Sequence, residues 1–346
     1  MRHVTLFAVF ACSLVVGSAS ASAQEPTVLA PTETIQPSQS EPRRRPPVIT
    51  AVAVASGGVH LATAGDDHVV RIWNTTDGRL RHKLNAHGDW VRALTFLPDG
   101  QTLVSAGDDG RIALWNASTG EKLAELVKLP HVVYAIAVSP DGKHLAAVGF
   151  HADVHLFDLE SRSAKGKLVG PDSDLRAIAF SPDGSRLAAA GRNGKVVVWS
   201  LTTGVVDLEI TSTGVGRLRA LGWLPAGDKL VSTGENRQLS VWDATNGQLV
   251  KKVHCQSGKL LSMVICGEDL IATGGSDNVI RVWNWQSESE TEALVGHTGS
   301  VAALAFDPDS RTIISGSFDT TIRVWRLDEP GGTRNTAENQ LDVRVR

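Results

Sequence analysis

From residue 48 onward the chain is a succession of short alternating or β-branched runs, broken every few positions by Pro, Asp, Asn or Gly. The last unit shows the grammar: Val301 to Phe306, a turn at Asp307-Pro308-Asp309, Arg311 to Gly316, a tight turn at Asp319, then Thr321 to Trp325. Elsewhere a fourth run follows a second polar turn, as where Ser118-Thr119-Gly120 precedes Glu121 to Val127. Side chains alternate between faces along a strand, and the interrupting residues favour tight turns for steric reasons, so the pattern predicts a nearly all-β chain.

A longer period lies above this one. An aromatic residue closes a β-branched run at Trp73, Trp115, Phe157, Trp199, Trp242, Trp283 and Trp325, at spacings of 42, 42, 42, 43, 41 and 42 residues. A repeat of 40–45 residues is that of a four-stranded propeller blade. Seven such units predict a single seven-bladed β-propeller over residues 48–327.

In Trp73-Asn74, Trp115-Asn116, Trp242-Asp243 and Trp283-Asn284, with Gly296-His297 opening the last unit, the chain resembles the WD-repeat (WD40) family. The resemblance implies a ring closed between first and last blades, and buried chains in which Asp orients His, His meets Ser or Thr, and the hydroxyl meets the indole N–H. Two units match at all four places: His87, Ser105, Asp109 and Trp115, and His297, Ser315, Asp319 and Trp325. Thr63, Asp67 and Trp73, and Thr273, Asp277 and Trp283, lack only the His. A His, Ser and Asp set invites a hydrolase reading, but its recurrence in register in two repeats marks a device that ties strands together. Blades 3 to 5 depart from the pattern: Phe157 replaces Trp, while His151, Asn193 and Asn236 replace the turn Asp.

Both ends lie outside the repeats. Residues 1–23, with Arg2, the apolar Leu6 to Val16 and the small Ala21-Ser22-Ala23, read as a signal peptide cleaved before Gln24; the apolar stretch is shorter than the roughly 20 residues of a membrane span. The expectation is an exported chain, periplasmic or secreted, not inserted in the membrane after cleavage. Residues 24–47 read as a proline-rich disordered linker ending near Arg43-Arg44-Arg45. Residues 328–346 read as a C-terminal tail whose alternating Leu341 to Arg346 supplies the outer strand of blade 7, with Thr27 to Ala30 as the alternative.

Composition narrows the function. With 42% hydrophobic and 21% charged residues the chain is an ordinary globular protein, and its net charge of −3 gives no global attraction to nucleic acid. Cys255 and Cys266 flank a strand predicted at Leu260 to Ile265, which holds them too far apart to bridge, so both are expected as free thiols. His151 and His155 look like a metal pair, but four residues of extended strand span ~13 Å, which predicts no metal. Asn74-Thr75-Thr76 and Asn116-Ala117-Ser118 match glycosylation acceptors at positions where turn geometry also favours Asn. There is no phosphate cradle, nucleophile elbow or cofactor motif, so no cofactor and no catalytic residue is expected.

Function is then sought on the loops. Three columns aligned from the repeat register gather Trp90, Arg92, Tyr134, Phe150, Arg176, Arg192, Arg217 and Arg219 on blades 2 to 5, while other blades offer mostly small, polar or aliphatic residues. Aromatics and arginines dominate binding hot spots. The expectation is a monomeric, non-catalytic protein-interaction scaffold that docks an acidic partner segment on this arc. Some of these arginines are alternatively placed to stack on neighbours or pair with Asp174 and Glu235. A lactonase-like propeller hydrolase, and a carbohydrate or anionic-polymer binder stacking sugars on Trp90 and Tyr134, are the competing readings.

Overall fold

The computed structural model describes residues 27–36, 46–211, 216–255 and 258–327. Every regular element among them is a β-strand, and the strands form seven sheets arranged as consecutive blades. Blade 2 is typical: Val91–Phe96 innermost, then Thr102–Gly107, Arg111–Asn116 and Lys122–Lys128 outermost, each antiparallel to its neighbour. Blade 3 runs Val133–Val138, His144–Gly149, His151–Asp158 and Ser163–Val169.

The core lies between blades. The second and third strands of blade 2 are buried on both faces almost without alternation, and its outermost strand is largely exposed. Trp73 packs with Ile49 of its own blade and Ile314 of the neighbouring blade 7, and Trp283 with Leu239 and Val241 of blade 5. Cys255 and Cys266 are both buried and unbridged, in two different inter-blade clusters.

Ring closure differs from the expectation for residues 341–346. The outer edge of blade 7 is occupied by Glu33–Ile35, antiparallel to Ile322–Arg326, with Thr34 opposite Arg323. The alternative segment is ordered but elsewhere: Thr27–Leu29 adds a fifth strand, parallel, to the edge of blade 6. Residues 27–36 are therefore not a disordered linker. Two apolar side chains explain the docking, for Leu29 is buried with Cys266 and Trp325, and Ile35 packs against the cluster of Leu61, Trp73 and Ile314. Thr32 strengthens the join by donating its N–H and its hydroxyl to the Val324 carbonyl, at 2.8 and 2.9 Å. The signal-peptide residues 1–23, the Arg43-Arg44-Arg45 run and the tail 328–346 lie outside the described residues.

Candidate functional site

Both predicted tetrads form. In blade 2, His87 Nδ1 lies 2.9 Å from Asp109 Oδ1 and its Nε2 2.9 Å from Ser105 Oγ, and the Trp115 indole N–H donates to that hydroxyl at 2.9 Å. In blade 7 the matching distances, from His297 through Ser315 to Trp325, are 2.8, 2.7 and 2.8 Å. With Asp accepting at Nδ1, the proton order follows: Nδ1–H to carboxylate, serine O–H to Nε2, indole N–H to serine oxygen. Burial opposes the charge of Asp319, but hydrogen bonds from His297, from the Thr321 hydroxyl and from the Thr298 and Thr321 amides outweigh it and hold the carboxyl well below its usual range. Ser105 and Ser315 are fully buried. A hydroxyl sealed from solvent and already engaged by an indole cannot attack a substrate, so these are fastenings for the blade.

Where the His is missing, an arginine that sequence reasoning overlooked takes the carboxylate. Arg71 donates to Asp67 at 2.6 Å and Arg281 to Asp277 at 2.5 Å, each arginine standing two residues before its Trp. The indoles still donate to Thr63, Thr273 and, in blade 5, Ser232. The two acceptor-like asparagines serve their turns: Asn74 Oδ1 accepts the Thr76 N–H and Asn116 Oδ1 the Ser118 N–H, both at 2.9 Å.

The predicted arc assembles at the mouth of the central channel. The second residue of each innermost strand, in blade order Thr50, Arg92, Tyr134, Arg176, Arg219, Leu261 and Ala302, lines a cavity of about 530 Å³. The residue before each, such as Val91, Val133 or Leu175, is buried against a neighbouring blade. Alternation alone would turn the next side chain to the channel, and a register shift at this position in blades 1 to 7 aims it at the mouth. Glycine makes the bulge fit: a Cβ on Gly107 would collide with the Trp90 carbonyl.

The arc is internally bonded. Arg92 makes a forked pair with Asp108, at 2.8 and 2.6 Å, with its guanidinium 4.5 Å from the Trp90 ring centre. Arg176 pairs with Asp174 and lies 4.3 Å from the ring centres of both Tyr134 and Phe150. Arg219 pairs with Glu235 and donates to the Tyr134 hydroxyl at 3.1 Å. Burial works against the charge of Arg219, but Tyr134 and Glu235 outweigh it and raise its affinity for the proton. Arg217 bridges Asp174 and Glu235 at 3.4 and 3.8 Å. The alternative of stacked and paired arginines is thus realised in Arg92, Arg176, Arg217 and Arg219. Arg192 and Phe150 are exposed, and Trp90 is half-buried. Sequence reasoning left out two further members: Phe318, exposed at the same cavity, and Lys259, 3.5 Å from Glu235. Phe318 stands in the same column as Phe150, so the register contained the signal. Since Arg176 lies over Tyr134, that ring is no open platform for a sugar.

Blade 3 overturns the distance assigned to His151 and His155. Their ring centres lie 6.4 Å apart, and His131 lies 4.6 Å from the first and 5.2 Å from the second. The two side chains share one face of the strand, and the strand does not start extended: His151 pairs with Gly149 around a single intervening residue, and the register shifts between that pair and the next, Ala147 with His155. Curvature closes the ~13 Å that a straight strand would impose. Burial first, then Lys167 and His131, push His155 down to about 4.

The family model described as the IFT122 first beta-propeller matches residues 48–326. Over shorter stretches the chain is similar to the DDB1- and CUL4-associated factor 13 of Dictyostelium discoideum, 40% identical over 65 residues, 19% of this chain and 15% of that one. It is 39% identical over 69 residues to the B-type cell cycle switch protein ccs52A of Medicago truncatula, covering 20% and 14% of the two chains. Against the nuclear distribution protein PAC1 of Gibberella zeae it is 37% identical over 70 residues, 20% and 15% of the two. Each match thus spans about a seventh of the relative's length.

Proposed function

Because the chain belongs to the WD40 β-propeller family, in the group of the IFT122 first beta-propeller, whose members generally serve as protein-interaction scaffolds, we propose that it is an exported, monomeric, non-catalytic scaffold docking an acidic segment of a partner protein at the channel mouth of blades 2 to 5. The observation that carries this reading is the Arg92–Tyr134–Arg176–Arg219 stack. Tyr134 is touched by all three guanidiniums, so rings and charges are held in place before any partner arrives. Four arginines of the arc pair with three carboxylates, Asp108, Asp174 and Glu235, and Arg192 stands exposed beside them, which leaves a local surplus of positive charge on a chain that is acidic overall. Phe150 and Phe318, with the half-buried Trp90, supply the apolar area beside it.

Export rests on residues 1–23, and a mature N-terminus at Gln24, read by N-terminal sequencing, tests that part. For docking, reversal of Arg176 or Arg219 is a poor probe because it strands Asp174 or Glu235 against a like charge. Arg192→Glu and Phe150→Ala alter exposed groups instead. Fluorescence anisotropy against acidic, neutral and basic peptides should show binding of the acidic set alone, weakened by either variant and by salt. Equal binding of all three sets, or indifference to both variants, would remove the reading.

A further inference from the structure

We propose that His131, His151 and His155 form a binding site for one divalent transition-metal ion of the zinc class. In blades 1 and 6 the turn residue is an Asp bonded to an Arg four residues later. Blade 3 has His151 and His155 at those two places, with Ala147 where five of the other blades carry Ser or Thr, and Phe157 where the others carry Trp. Every polar partner of the fastening has gone, and three imidazoles fill the space.

The geometry suits an ion. One nitrogen from each ring can be chosen so that all three lie within 4.8 Å of one another. Ligands about 2.0–2.1 Å from a tetrahedral ion lie roughly 3.3 Å apart, so the His131 and His151 rings, stacked 13° from parallel, must turn out of the stack to close on one ion. His155 is only 6% exposed, and its Nε2 is buried without a hydrogen-bond partner. An unmade hydrogen bond on a buried polar atom is costly, and metal ligation would satisfy it. The cluster lines a cavity of about 670 Å³ whose other walls combine the apolar Leu129, Leu156 and Phe157 with Lys165 and Lys167, while His131 and His151 stay accessible at its mouth. A solvent molecule is left for the fourth position. Imidazole donors select zinc, copper or nickel over calcium or magnesium, which prefer oxygen.

Charge around the cavity works in both directions. Lys167 opposes a cation, but its ammonium is held by Asp153 at 2.9 Å, and Asp153 also lies 3.5 Å from His151 Nδ1. Lys165 is turned toward His144, 3.1 Å away. Asp153 positions His151 through its backbone N–H, which donates to Nδ1 at 3.1 Å, and its carboxylate is a counter-charge for the ion.

The site is independent of the docking arc, so the two readings fail separately. The test titrates the metal-stripped full chain with Co²⁺, read by its visible d–d bands, and with Zn²⁺ by competition. The expected result is one equivalent with four-coordinate Co²⁺ bands, lost in His131→Ala and His151→Ala, whose side chains are accessible enough to change without unfolding the blade. Asp153→Asn, which removes the counter-charge and keeps the N–H bond to His151, should weaken binding about 10-fold, the low end for outer partners of ligating histidines. His254→Ala, on the exposed edge of blade 5, should change nothing. Absence of stoichiometric binding, or binding retained in both histidine variants, would overturn the proposal.

Discussion

Arg176 holds its guanidinium carbon 4.3 Å from the centre of the Tyr134 ring. The Arg219 N–H that reaches the Tyr134 hydroxyl makes this ring a shared support for two neighbouring blades. Tyr134→Phe should therefore cost about 1 kcal/mol through the lost hydrogen bond alone. Tyr134→Ala, which also removes the stacking surface, should cost roughly 2–3 kcal/mol. Urea denaturation measures both, and equal losses would show that the ring organises nothing.

The blade fastenings predict an acid limit. Asp109 and Asp319 are both held below the usual carboxylate range: burial opposes their charge, but the hydrogen bonds they accept outweigh it. A carboxyl whose folded value is depressed adds stability above its unfolded value, about 3.9, and that stability is lost as pH falls through the folded value. Melting temperature should fall below about pH 4. Asp319→Asn should melt lower than the parent at neutral pH and show a shallower acid decline; an unchanged slope would contradict the assignment.

Closure by Glu33–Ile35 has a direct consequence for truncation. Removing residues 24–36 strips the outer strand of blade 7 and unpacks Leu29 and Ile35, so the melting temperature should drop by several degrees, at roughly 2–4 °C per kcal/mol. Removing 341–346 should leave it nearly unchanged. The reverse order in a thermal scan would return closure to the C-terminal segment.

Burial pushes the thiols of Cys255 and Cys266 up to about 12. The reactive thiolate is then scarce as well as covered. Iodoacetamide should leave both peptides unmodified in the folded protein and alkylate both in urea, as read by peptide mass mapping. Rapid labelling of the native chain at either position would contradict the packing of that inter-blade cluster.

What the sequence disclosed and what it hid divide along physical lines. The Trp73 to Trp325 period was legible because every blade solves the same packing problem, and the two tetrads were legible because four polar residues recur at fixed offsets. The Arg71 and Arg281 substitutes lay in the same register, but their role depends on a carboxylate lacking its His. Closure was hidden because Glu33–Ile35 is three residues long, too short to carry a period, and takes its place from the free edge of Ile322–Arg326. The histidine cluster was hidden because a bulge decides it: read as a straight strand, His151 and His155 cannot meet. The repeat register drew the arc residues from matching places on neighbouring blades, yet only the folded chain places Arg176 over Tyr134, since side-chain stacking leaves no mark on repeat spacing.

The docking face is tested most directly by a photo-crosslinking amino acid placed at Phe150, compared with the same group at Val169, which is 77% exposed on the outer edge of blade 3. Illuminated with the exported proteins of the source cell, the Phe150 position should capture a defined protein through an acidic segment, and Arg192→Glu should abolish the adduct. Capture at Val169 alone, or an adduct at Phe150 indifferent to Arg192→Glu, would contradict a docking site on blades 2 to 5.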